Sequence, residues 1–165
     1  MTQPIPPWPQ HAALLLRLVY QRAKVLGGLR DLTPRALTDL EIVPGRSEFA
    51  VVDSDDLNQG GWDGDLLVIP RQYVGYVAVH YPSTTDQRET FEDEARVMAA
   101  LTTYGQDPRV TVVPGFNGMG TVPGRWFLND RPAKVAQTPV LTLEFTWTLG
   151  VNLLIPRAFT EGAAP

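Results

Sequence analysis

The sequence predicts an α+β fold: a single domain on a mainly antiparallel β-sheet, with two principal helices packed on one face. Three observations lead there. In VLTLEFTWTLGV, Leu141, Leu143, Phe145, Trp147, Leu149 and Val151 alternate with Thr142, Glu144, Thr146 and Thr148, the period of a strand with one buried and one polar face. TTDQRETFEDEARVMAAL places Asp86 at a helix N-cap with Glu89 three residues on, the pattern of a capping box. The element order, helix, three strands, helix, then two or three strands, mixes both types in one chain. At 165 residues the chain can bury a core as one domain, expected over residues 10–155, between an arm at 1–9 and a C-terminal tail at 156–165.

The arm, MTQPIPPWP, carries four prolines, which remove donors and favour extended backbone. A first helix is expected from about Pro9 to Leu26, because proline suits a first turn and Gly27-Gly28 a stop. Leu15, Leu18, Val19, Arg22 and Leu26 share one side, with the arginine out of place. Arg17, Gln21 and Lys24 form a modest basic ridge on another. Pro34 and Pro44-Gly45 mark turns. Strands follow at Glu48–Val52, Asp65–Ile69 and Gln72–Tyr81, with Pro70 separating the last two.

The second helix presents Phe91, Ala95, Met98 and Leu101 as its apolar stripe. A strand is expected at Arg109–Val113, then a mobile glycine-rich loop, PGFNGMGTVPG, and a short strand in RWFLND. The final strand, Val140–Val151, spans roughly 40 Å at about 3.3 Å per residue. That exceeds a typical strand, so it either bends at Gly150 or extends beyond its domain.

The chemistry of the chain is read mostly by exclusion. VVDSDDLNQGGWDGD has the carboxylates of a calcium loop but neither frame works: counting from Asp53 puts Leu57 at loop position 5, where an oxygen ligand is needed, and counting from Asp56 puts Gly60 there. Asp, Asn and Gly are also what a connection between strands requires, and no metal is assigned. Gly115-x-x-Gly118-x-Gly120 lacks the Gly-Lys-Ser/Thr ending and the following helix of a phosphate cradle. His80 sits on a strand among tyrosines, and no Gly-x-Ser-x-Gly elbow occurs. No catalytic residue or cofactor is assigned, and the chain is read as a non-enzyme. Cysteine is absent, which removes thiolate chemistry, and a net charge of −4 without a basic stripe argues against a dedicated nucleic-acid partner. The longest apolar run, AALLLRLVYQ, is broken by Arg17, and the N-terminus lacks a basic n-region, so a soluble, intracellularly made protein is expected.

The segment YVGYVAVHYPSTTDQRETFEDEARVMAALTTYGQDPRVTVVPG, together with VLTLEFTWTLGV, resembles the small tail-terminator or tail-completion (minor tail) proteins of tailed bacteriophages. The likeness is one of arrangement over about residues 10–155: an N-terminal helix, a strand with a polar-aromatic motif, a helix with an alanine-rich apolar face, and a long last strand alternating threonine with large apolar residues. It implies a structural virion protein, a ring that is typically hexameric, capping the tail tube and joining it to the neck or connector. The implied partners are the chain itself, the tail tube protein and a neck or connector protein; the implied location is the virion tail or neck, after synthesis in the host cytoplasm.

Contacts would then come from surfaces. The candidates are Phe116, Asn117 and Met119 in the glycine loop, Arg125 and Trp126 after it, and Arg17 and Lys24 on the basic ridge. Three other readings stay open: a head-completion or adaptor protein of the same assembly, a small α+β enzyme of unknown reaction, and a host regulatory module that binds through Pro4-x-x-Pro7.

Overall fold

The computed structural model describes residues 10–35, 45, 47–56, 60–82, 84–129 and 140–160; the proline arm lies outside them. Helix α1 (Gln10–Val25) leads into β1 (Leu32–Pro34), β2 (Ser47–Asp56), β3 (Gly61–Asp63) and β4 (Leu66–Pro82). Helix α2 (Gln87–Thr102) and a short α3 (Pro108–Thr111) precede β5 (Phe116–Thr121), β6 (Arg125–Asn129), β7 (Val140–Pro156) and α4 (Arg157–Thr160). The strands form one sheet in the order β1-β2-β4-β7-β5, with β3 added to β4 and β6 to β7. Every pairing is antiparallel except β1 with β2. This is the α+β architecture that the patterning predicts.

The spine is the β4–β7 pair, 17 residues in each strand, from Leu66 opposite Pro156 to Pro82 opposite Val140. The β4–β7 ladder is unbroken at Gly150. Although β7 outlasts its flanking strand β5 past Asn152, it stays paired with β4 to its end, so its length is taken up by an equally long partner within the sheet rather than by reaching beyond the domain. Strand β4 is likewise unbroken, which corrects the expected split at Pro70. Strand β3 pairs with residues 66–68 and β2 with residues 71–79, so Pro70 falls between them and its missing N–H interrupts neither ladder.

Residues opposite one another share a face, and the helices cover one face only. Val77, Val79, Leu143, Phe145, Trp147, Leu149 and Val151 join Leu15, Leu18 and Val19 of α1 and Val97 and Leu101 of α2 in one buried cluster. The other face carries Gln72, Val74 and Tyr76 of β4 beside Glu144, Thr146 and Thr148 of β7, all half-buried, with no helix across them among the described residues.

Three expectations are corrected in this layer. On α2 the buried positions are Thr90, Val97, Ala100 and Leu101, while Phe91 and Ala95 are exposed, so the seam is rotated by about one residue from the expected stripe. The Thr90 hydroxyl donates to Gln87 O (2.6 Å), which lets it be buried, and Phe91 serves the sheet edge instead. On α1, Leu26 is exposed past the helix end. Finally, Arg109–Val113 is helical in its first part rather than a strand. Asp107 caps it by accepting from Arg109 N (2.9 Å) and Pro108 sits in its first turn, so the cap outweighs the β-branched composition.

Arg22, the arginine out of place on the apolar side of α1, is buried rather than solvated. Its Nη1 donates to Asp107 Oδ2 (2.7 Å), its Nε to Ala100 O (3.0 Å) and its Nη2 to Thr103 Oγ1 (2.6 Å). One side chain thereby fixes α1 to the C-terminal end of α2 and to the cap of α3. Among the described residues no helix is long and apolar enough to cross a membrane.

His11, in the first turn of α1, is buried and neither ring nitrogen has a hydrogen-bond partner among the described residues. Burial holds its pKa below the ordinary imidazole value. A group shifted that way destabilises the fold as pH falls below its unfolded pKa of about 6.5, because the unfolded chain takes up the proton more readily. The variant His11→Leu should therefore lose that acid-side decline and gain about 1 kcal/mol near neutrality, since no buried polar atom is left unpaired. Thermal melts of both proteins across that range test it; a variant that melts lower near neutrality contradicts it.

Candidate protein–protein interface

Five of the seven contact candidates lie on one edge of the sheet. Strands β5 and β6 run in the same direction along β7, β5 opposite Val151–Trp147 and β6 opposite Glu144–Val140. Between them Val122 N donates to Thr146 O (2.8 Å), so residues 116–129 follow β7 almost continuously. The expected mobile loop is thus largely a strand, a correction with a local cause. A bulge between Phe116 and Met119 takes up Asn117 and Gly118. Gly118 has φ +94°, and a Cβ on Gly150 would stand 2.5 Å from Asn117 O, so glycines allow close approach of two backbones rather than freedom of the chain. Together with Gln72 and Thr148 they line a hollow of about 270 Å³ on the face away from the helices.

The five residues divide by the strand period. Phe116, Met119 and Trp126 lie opposite Val151, Leu149 and Leu143 and pack on the core. The Phe116 ring meets Tyr104 edge-on at 5.8 Å. Trp126 stacks on Tyr81 (5.9 Å), is met by Phe91 (6.4 Å), and donates from Nε1 to Glu94 (3.2 Å). Asn117 and Arg125 point outward. Asn117 Nδ2 reaches Asn152 Oδ1 at 3.4 Å, and the Arg125 guanidinium lies 5.4 Å from the Phe127 ring and 3.7 Å from Glu144. That exposed ion pair contributes little to stability, which leaves the arginine available for a neighbour.

The other two candidates, Arg17 and Lys24, belong to the helix layer. Arg17 is exposed, and Lys24 Nζ lies 5.7 Å over the Tyr20 ring, beside a hollow it shares with Arg30 and Asp31. They do not join the edge. Sequence reasoning missed the exposed apolar members of the edge, Val122 and Leu128. The alternation in RWFLN carries a faint signal for Leu128, but exposure depends on the absence of a further strand, which no local pattern reports.

Away from this edge, His80 and its neighbours form a buried polar cluster. His80 is buried, with Nδ1 2.9 Å from Thr142 Oγ1 and Nε2 3.3 Å from Glu48 Oε2, the latter outside hydrogen-bond alignment. Glu48 also accepts from Arg35 Nη1 (3.0 Å), which reaches Tyr76 OH at 3.2 Å. The aspartate-rich segment is strand, turn and strand: Asp53 and Asp55 lie on β2 and Asp63 on β3, while residues 57–59 fall outside the described part. Among the described residues no group of three or more His, Asp or Glu side chains is placed to hold a metal ion.

No protein-family model and no curated protein matches the chain. Among solved structures it is similar to a chain of the virion of a native gene transfer agent (GTA) particle, at 13% identity and a TM-score of 0.38, covering 87% of this chain and 98% of that chain.

Proposed function

We propose that this protein is a structural virion component that caps or completes a phage tail tube as a closed ring and joins it to the neck or connector. The observation that carries the reading is the one-sided sheet. Helices cover one face, while on the threonine-bearing face no helix lies among the described residues. There Ala78, His80 and Thr142 are buried at one end, Gln72, Thr146 and Thr148 are only half-buried at the other, and the 116–129 edge exposes Val122 and Leu128. Such a layer is completed by neighbours rather than by a ligand in a cleft. The arrangement of helix, polar-aromatic strand, helix and long threonine-alternating strand, on which the resemblance to tail-completion proteins rests, supports the same reading.

In this role the chain partners itself, the tail tube protein and a neck or connector protein, and it works within the virion after synthesis in the host cytoplasm. The groups that act are surface groups: Asn117 and Arg125 at the edge directly, and Phe116, Met119 and Trp126 by holding that edge against the core. Arg17 and Lys24 face a neighbouring subunit or the lumen from the helix layer. Light scattering on the purified protein, with negative-stain images of the same sample, should find closed, hexameric rings. A protein that stays monomeric at every concentration and in the presence of tail tubes would overturn the proposal.

A further inference from the structure

The two ends of the sheet differ in a way that makes them complementary. Strand β2 pairs with β4 on one side, and on the other β1 covers only Ser47, Glu48 and Phe49. Beyond that point its outer side has no strand partner among the described residues. A bulge there leaves Val52 out of register and 53% exposed, next to exposed Val51, Asp53 and Asp55. At the opposite end, the β5–β6 edge exposes Val122 (54%) and Leu128 (67%) on either side of Arg125. Among the described residues, and apart from Trp62 on the short β3, the exposed large apolar residues of the sheet lie at these two edges.

Direction and charge also match. Strands β2, β4, β7 and β6 alternate in sense, so β2 and β6 run opposite ways. Carried across the sheet, the open stretch of β2 lies level with β5, and β6 lies level with the part of β2 that β1 covers. A second copy in the same orientation therefore offers β6 antiparallel to β2 when it is shifted along the strands by about six residues, the stagger of a sheared sheet. Aspartates on β2 oppose pairing of two like edges, whereas an arginine-bearing edge is attracted to them.

We infer that copies of this chain join head to tail through these edges, β2 of one copy against β6 of the next, so that the ring contains a continuous intersubunit sheet. The inference rests on the ring proposed above and names its interface. A head-to-tail contact of this kind closes into a ring when its rotation divides the circle.

The chain has no cysteine, so Val52→Cys and Leu128→Cys can be introduced together and linked with a short bismaleimide, whose spacer tolerates the register. The double variant should give a ladder of covalent oligomers ending at the ring, while each single variant gives at most a trace of dimer. A charge exchange supplies the second test. Arg125→Glu should weaken association about tenfold or more, and Asp53→Lys with Asp55→Lys in the same chain should restore it. Rings seen by light scattering without a ladder, or without rescue, overturn the edge pairing and leave the ring intact. A monomer under all conditions, unlinked, overturns both.

Discussion

Replacing Arg22 by leucine is expected to destabilise the protein by about 3–5 kcal/mol, the range for removing one partner of a buried ion pair. The side chain is buried with Asp107, and three of its nitrogens are committed to the C-terminal end of α2 and the cap of α3. Its loss leaves Ala100 O and part of the Asp107 carboxylate without a donor, in a seam where water does not replace it. Arg109 keeps one hold on Asp107, through Nε (3.2 Å) and Nη2 (2.8 Å), so the cap of α3 should survive while α1 loosens from α2. The double variant Arg22→Leu/Asp107→Leu should recover part of the loss, since two apolar groups leave no buried charge. Urea unfolding of the three proteins measures both steps; a single variant within about 1 kcal/mol of the parent would contradict the clamp.

The same clamp has a pH signature. Hydrogen bonds from Arg109 first, and then from Arg22, hold the Asp107 carboxyl well below the ordinary carboxylate range. A carboxyl depressed in the folded state contributes stability that is complete above its unfolded pKa of about 4 and is lost as pH falls below it. Arg22→Leu removes part of that depression. The stability gap between parent and variant should therefore be widest near neutrality and narrow as the solution is acidified past that value.

The second large effect is expected at Trp147, where Trp147→Ala should cost about 3–5 kcal/mol. The indole is fully buried and stacks on Phe49 at 5.4 Å with 14° between planes. It lies across Gly75 on the neighbouring strand: a Cβ there would clash with the indole ring and with Ala50 O. Gly75→Ala should therefore be destabilising by about 1–3 kcal/mol, through overpacking rather than through lost contacts. The two substitutions should be non-additive, because the cavity left by the indole accepts the methyl group on one side while the Ala50 carbonyl still opposes it. A double-mutant cycle in urea reads the coupling directly, and strict additivity would show that Trp147 does not press on Gly75.

What was legible in the sequence was what local chemistry decides. The stop of α1 just before Gly27-Gly28, the Asp86 cap of α2 and the alternation of β7 each rest on residues within a few positions of one another, and each stands within a residue of where the pattern puts it. The misread segments share the opposite property. Pro70 is compatible with a central strand only because two flanking strands stop on either side of it. The glycines of β5 read as mobility until β7 is placed against them, and the seam of α2 rotates toward Thr90 and Val97 because of what α1 and the sheet present to it.

The candidate interface was legible in the same uneven way. Residues 116–126 stood out by composition, but composition could not divide inward Phe116, Met119 and Trp126 from outward Asn117 and Arg125, since that depends on register with β7. By itself the sequence determined the α+β class, the principal helices and the long alternating strand, because propensity, capping and period act over one or two turns. Only the tertiary structure decided that Arg22 would be a buried clamp, and which strand edges have no strand partner among the described residues. Burial and pairing are properties of contacts between segments far apart in the chain, and no single stretch contains them.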